Sequence, residues 1–119
     1  MLVALSTAVP LLLAGALIVW IAARSASGAL TRNSWVGIRT SATLRGDEEW
    51  RIGHAAAAVP MSAGGIGLIA AAAAAVFVGE EGAVWAAVIG CAWVVVCLLI
   101  AAVVAGRAVD RMDADHPAP

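Results

Sequence analysis

Arg39, Asp47, Glu48, Glu49 and His54 are the side chains of this 119-residue chain whose types and spacing could do chemistry. The three carboxylates shortly precede the histidine, so an acid–base pair is the first arrangement to weigh. A helix start accounts for them better. Asp47 is a good N-cap, and Glu48 and Glu49 complement the positive end of the helix that would follow. His54 has no evident set of co-ligands, which argues against zinc. The stretch GGIG at 64–67 is no phosphate loop either, because it lies in the middle of an apolar run rather than after a strand. The sequence therefore assigns no catalytic residue, no metal and no cofactor, and the chain reads as a non-enzyme.

Binding is the chemistry that remains. Arg39 offers a planar fork of donors, Gly37 permits a turn or a close backbone approach, and Asn33, Thr40 and Thr43 add short hydrogen-bonding groups. Together they could hold an anion, such as a lipid phosphate or a carboxylate of a partner peptide. The structural alternative pairs Arg39 with Asp47, Glu48 or Glu49 and uses the polar residues to cap the connection onto its own helices. Both readings stay open from the residues alone. Trp50 and His54, four apart, share one face of the expected helix. With the connection folded back, Arg39 should approach that face, with Trp50 giving apolar contact and His54 an orienting hydrogen bond.

The elements that must position these residues are membrane helices. Hydrophobic residues make up 63% of the chain and charged residues 13%, and the mean hydropathy is +0.97, well outside the soluble globular range. Three apolar runs stand out, at about 2–23, 55–79 and 83–106. Each can cross a hydrocarbon core of roughly 30 Å, since about 20 helical residues suffice. None shows the period-2 alternation of a barrel strand. The expected fold is an all-α membrane protein, a single domain over 1–119 with three transmembrane helices. A structured cytoplasmic connection over 24–47 joins the first two, the second helix is kinked at Pro60, and a polar tail runs over 107–119 as a solvated end. The connection from Arg24 to Asp47 is too long to be an ordinary loop, and Leu30, Trp35, Val36, Ile38 and Leu44 give it apolar footholds at the membrane interface.

Lysine is absent, and all seven basic residues are arginines. Arg24, Arg32, Arg39, Arg45 and Arg51 fall between the first two runs, and Arg107 and Arg111 follow the third. The positive-inside rule then puts the connection and the tail in the cytoplasm and the N-terminus and the Glu80–Glu81 turn outside. The first run lacks a basic segment before it and exceeds the usual length of a signal's apolar core, so it reads as a retained anchor. Cys91 and Cys97 fall on different faces of the third run and read as packing residues. Trp20 and Trp85 sit near span ends, where tryptophan commonly anchors. Small residues spaced four apart in the second run, Ala58/Ser62, Ala63/Gly67 and Gly67/Ala71, invite close helix packing, against the neighbouring spans or against another copy in a homo-oligomer.

Taken in order, Asn33, Gly37-Ile38-Arg39-Thr40, Thr43-Leu44, Trp50 and His54 resemble the signature of the SdpI family of membrane proteins. The resemblance covers 33–54 and, more loosely, the flanking spans. It implies a multi-pass protein of the bacterial cell membrane. The family's namesake is an immunity factor that protects a bacterium from its own secreted toxin and holds a transcriptional repressor at the membrane. On that resemblance, immunity to a membrane-active peptide or membrane signalling is expected. The alternative is an accessory or structural subunit of a larger envelope complex. The partners expected are membrane lipids and a protein or peptide at the cytoplasmic interface, with no nucleic acid.

Overall fold

The computed structural model describes every residue except Ala118. It contains three long helices, α1 (Leu2–Ala26), α2 (Asp47–Phe77) and α3 (Gly79–Asp115), and one turn of 3-10 helix at Thr43–Arg45. Each long helix is long and apolar enough to cross a membrane, and no strand occurs among the described residues. The helices run up, down and up in a bundle of 62 × 20 × 19 Å, with α2 packed between α1 and α3. Met1 meets Glu80 at one end, and Arg45 meets Asp113 at the other. The bundle thus has a loop end, which carries the connection and the end of α3, and a turn end.

Large apolar side chains point outward. Leu13, Leu17, Ile89 and Leu99 are all more than half exposed, while the interior is largely alanine: Ala4, Ala8, Ala57, Ala72, Ala75, Ala101 and Ala105. Such an inversion suits lipid, where helices gain little by hiding leucine and much by approaching closely enough for dense van der Waals contact. Two neighbouring glycines set that approach. A Cβ placed on Gly65 would lie 2.8 Å from the Gly15 carbonyl oxygen of α1, and one on Gly64 would lie 3.0 Å from Cys97 Cβ of α3. Gly67 lies beneath the Trp93 ring and Ala71 against Gly90, so these members of the small-residue row pack against α3 of the same chain.

The helix ends explain where the connection begins and stops. After Ala26 the chain closes in a Schellman motif: the Gly28 N–H reaches Ser25 O and the Ala29 N–H donates to Arg24 O at 2.9 Å. Gly28 takes φ +75°, which a residue with a Cβ adopts only at a cost. At the far end α2 starts at Asp47 with Gly46 in the N-cap position and no side-chain cap. Asp47, expected as the cap, is therefore the first helical residue, and its carboxylate forms an ion pair with Arg32, Nε to Oδ1 3.2 Å. Glu48 and Glu49 occupy the first turn. Pro10 and Pro60 both lie inside unbroken helices.

The polar tail is helical for most of its length, and its charged residues are exposed. Helix α3 continues to Asp115 because Ala101, Ala105 and Val109, four apart, form one stripe of fully buried residues. At about 1.5 Å per residue, its 37 residues span about 55 Å, beyond the roughly 30 Å of a hydrocarbon core. Its last turns reach the connection, where Asp113 Oδ2 accepts Arg45 at 2.7 Å.

Candidate functional site

Helix α2 supplies the two anchors around which the connection folds. Trp50 and His54, one turn apart, stack with ring centroids 4.1 Å apart and planes at 29°, and each is only 1% exposed. The Trp50 indole N–H donates to Leu30 O at 2.9 Å and so pins the start of the connection. His54 Nε2 accepts the Ile38 N–H at 2.8 Å and pins its middle. With Nε2 an acceptor, Nδ1 must carry the ring's hydrogen, and it faces the Trp50 carbonyl at 2.8 Å. The hydrogen-bond pattern thus selects the neutral Nδ1–H tautomer and commits both ring nitrogens. No lone pair is left for a metal or a substrate proton.

Gly37 lets the backbone pass over these rings. Its φ is +118°, and a Cβ there would sit 2.6 Å from His54 Nε2 and 3.0 Å from the Trp50 ring. Only glycine satisfies both the dihedral and the space. Just before it, Asn33 closes a tight turn: Oδ1 accepts the N–H groups of Trp35 and Val36 at 2.8 and 2.7 Å, and Nδ2 donates to Thr31 O and Val36 O. An asparagine side chain can do this because its amide mimics the backbone it replaces.

Thr43 is the third fixed point, fully buried. Its hydroxyl donates to Ile38 O at 2.6 Å and accepts the Thr40 N–H at 3.1 Å, while the Thr43 N–H donates to Thr40 Oγ1 at 3.3 Å. Thus both backbone groups of Ile38 are held by side chains, the N–H by His54 and the carbonyl by Thr43. Ile38 and Val36 also pack on the cluster formed by Ile21, Leu30, Trp50, Ala57 and Met61. The connection is a strap built onto α2.

Asn33, Gly37, Ile38, Thr40, Thr43, Trp50 and His54 are therefore brought together, and their polar groups are largely consumed in holding the strap. The expected outward roles of Trp50 and His54 are replaced by structural ones, because both rings are covered by the strap itself. Arg39 stands apart. The alternative pairing of Arg39 with Asp47, Glu48 or Glu49 does not form among the described residues, and Asp47 is taken by Arg32. Among the described residues it has no hydrogen bond or ion pair. It is exposed and lines two openings. One is a polar notch with Arg32, Asn33, Ser34 and Leu44. The other is an apolar crevice of about 380 Å³ walled by Ile18, Ile21, Ile38, Met61, Leu98 and Ala102, with Gly37 and Thr40 at its rim.

Sequence reasoning missed Leu30 as a hydrogen-bond partner, Arg32 as the partner of Asp47, and Asp113. A carbonyl acceptor such as Leu30 O leaves no mark in a sequence. The acidic tail was visible, but only the buried stripe of α3 brings Asp113 to Arg45.

Three helices long and apolar enough to cross a membrane and a strap folded onto the start of the second define the class: a multi-pass helical membrane protein. The family model of the SdpI/YfhL protein family matches residues 29–106, from the start of the strap to near the end of the third apolar run. The chain belongs to this family. No curated protein and no solved structure matches it.

Proposed function

We propose that this protein acts by binding rather than by turnover, at the cytoplasmic face of a bacterial cell membrane, through the surface of the strap. One observation carries this reading: the signature's polar atoms are spent on holding the strap in one conformation, and the guanidinium that conformation presents, Arg39, is left unpaired. Spending seven residues to present one unpaired cation is what preorganisation for an anionic group requires. A catalytic reading lacks a reactive group, since His54 has both nitrogens engaged and the carboxylates of α2 lie at its exposed first turn.

The family favours immunity to a membrane-active peptide, with membrane signalling as a further form of the same binding role. Expression of the protein in a strain sensitive to such a peptide tests it: survival should rise, and should fall back with Arg39→Gln at equal protein level. Equal protection by the Arg39→Gln protein would overturn the role given to Arg39. Turnover of a lipid or peptide that is lost in Glu49→Gln, with the fold intact, would overturn the non-enzymatic reading. The orientation follows from the seven arginines, all at or beside the loop end. With Cys91 and Cys97 replaced by alanine, a cysteine at Gly82 should react with an impermeant thiol reagent in intact cells, and one at Ser27 should not. The reverse pattern would invert the assignment.

A second reading, an accessory subunit of an envelope assembly, is favoured by a specific feature. An apolar groove of about 500 Å³ between α2 and α3 has a floor of Gly67, Ala70, Ala71, Ala74 and Gly90 and sides of Trp85 and Trp93, the shape that admits another helix. Purification in mild detergent with a stoichiometric membrane partner would support it.

A further inference from the structure

We infer that the crevice between α1 and α3 at the loop end holds an acyl chain of an anionic phospholipid, with the lipid phosphate on Arg39. This deepens the proposed binding role and rests on Arg39 as its anion site. Three features of the crevice point to this occupant.

The first is its shape. Because α2 holds α1 and α3 apart, the two outer helices leave an opening near the interface. Ile18 and Ile21 of α1, Leu98 and Ala102 of α3 and Met61 of α2 line it, and its volume of about 380 Å³ lies within the range of small-molecule sites. Walls of this kind fit a hydrocarbon chain and nothing charged.

The second is the rim. Gly37–Thr40 closes the loop end of the crevice, and it is a fixed edge rather than a free lid, because Ile38 is held on both backbone groups by His54 and Thr43. A ligand seated there orders little that is not already ordered.

The third is charge. Arg24 donates to Ala29 O and lies over the Trp20 ring, Arg32 is paired with Asp47, and Arg45 with Asp113. Arg39, Arg51, Arg107 and Arg111 have no such partner among the described residues, and of these it is Arg39 that lines the crevice. A guanidinium matches two phosphate oxygens through parallel N–H donors. A neutral lipid would leave that fork idle, and a soluble anion would leave the apolar walls bare. An anionic lipid uses both, and the leaflet facing the cytoplasm is rich in such lipids.

Native mass spectrometry of the full-length protein in neutral detergent tests the inference, with phosphatidylglycerol and phosphatidylcholine of the same chains as probes. Phosphatidylglycerol should be retained at roughly tenfold lower concentration than phosphatidylcholine. Arg39→Gln, an exposed change that leaves the strap's hydrogen bonds intact, should erase that preference. Ala102→Phe, which fills the crevice, should weaken both lipids, whereas glycerol 3-phosphate should not displace bound lipid. Equal retention of the two lipids by the unmodified protein, or an undiminished preference in Arg39→Gln, overturns the lipid assignment. If protection against a peptide still needs Arg39 while lipid preference does not, the lipid inference fails and the Arg39 binding site stands. If neither needs Arg39, both fail. Arg39-dependent binding of a peptide C-terminal carboxylate without any lipid preference would replace the lipid by a peptide.

Discussion

The two ends of this bundle are built on different principles. At the turn end, α2 and α3 are separated by Val78 alone, and the polar contact there is an ion pair between the N-terminus and Glu80 whose partners are 89% and 61% exposed. At the loop end, twenty residues between α1 and α2 are held by side chains that each satisfy a named backbone group. The turn end needs only to reverse the chain, and lipid-facing packing does the rest. The loop end fixes a surface, and fixing a surface takes specific hydrogen bonds. Exposed charge by itself contributes little to that task, whereas buried donors matched to carbonyls contribute a great deal.

Removing the largest anchor should break the contrast most. Trp50→Ala opens a void under the strap and frees Leu30 O, and should cost about 3–5 kcal/mol, read as a large fall in thermal stability in detergent and as protease cleavage within 29–46. Gly37→Ala comes next. Backbone strain of about 1–3 kcal/mol adds to the collision with His54 and Trp50, so the strap should detach while the three helices persist by circular dichroism. His54→Ala leaves the Ile38 N–H without its acceptor and should cost about 1–3 kcal/mol. In the unmodified protein, nitrogen chemical shifts should report a protonated Nδ1 and a bare Nε2, and the opposite tautomer would refute the strap geometry.

Three smaller effects sharpen the comparison. Arg39→Gln should leave stability within about 0.5 kcal/mol, because the side chain holds nothing in place, while binding or protection is lost. Arg39→Lys should keep stability yet recover only part of that function, since lysine lacks the planar fork. Full recovery would reduce the site to simple charge anchoring. Glu80→Gln, at the turn end, should produce no measurable change in melting temperature, as expected for an exposed pair. A clear destabilisation there would show that both ends are specifically built.

Much of the fold was legible because its signals are local. Uninterrupted apolar runs give the three helices, and Asp47-Glu48-Glu49 gives the start of α2 to within one residue. The shared face of Trp50 and His54 follows from helical spacing alone. The site was legible as a set of residues, not as a division of labour. Arg39 was expected to take an anion and His54 to orient a neighbour by a hydrogen bond, and only the fold shows that His54's partner is the Ile38 N–H, sixteen residues away in sequence. In the tail Arg107, Asp110 and Arg111 are exposed as their charge suggests, while the burial of Val109 between them depends on packing.

The sequence by itself determined that this chain lives in a membrane, how many times it can cross, and which segment carries its polar chemistry. Hydrophobicity and helical period are properties of neighbouring residues, and they survive without any knowledge of the fold. Tertiary structure decided which polar groups face inward. A backbone carbonyl or N–H acquires its partner only when distant segments meet, so Trp50 to Leu30 and His54 to Ile38 could be fixed only by packing. Packing likewise left Arg39 without a partner, at the mouth of a crevice that α1 and α3 form only when α2 holds them apart.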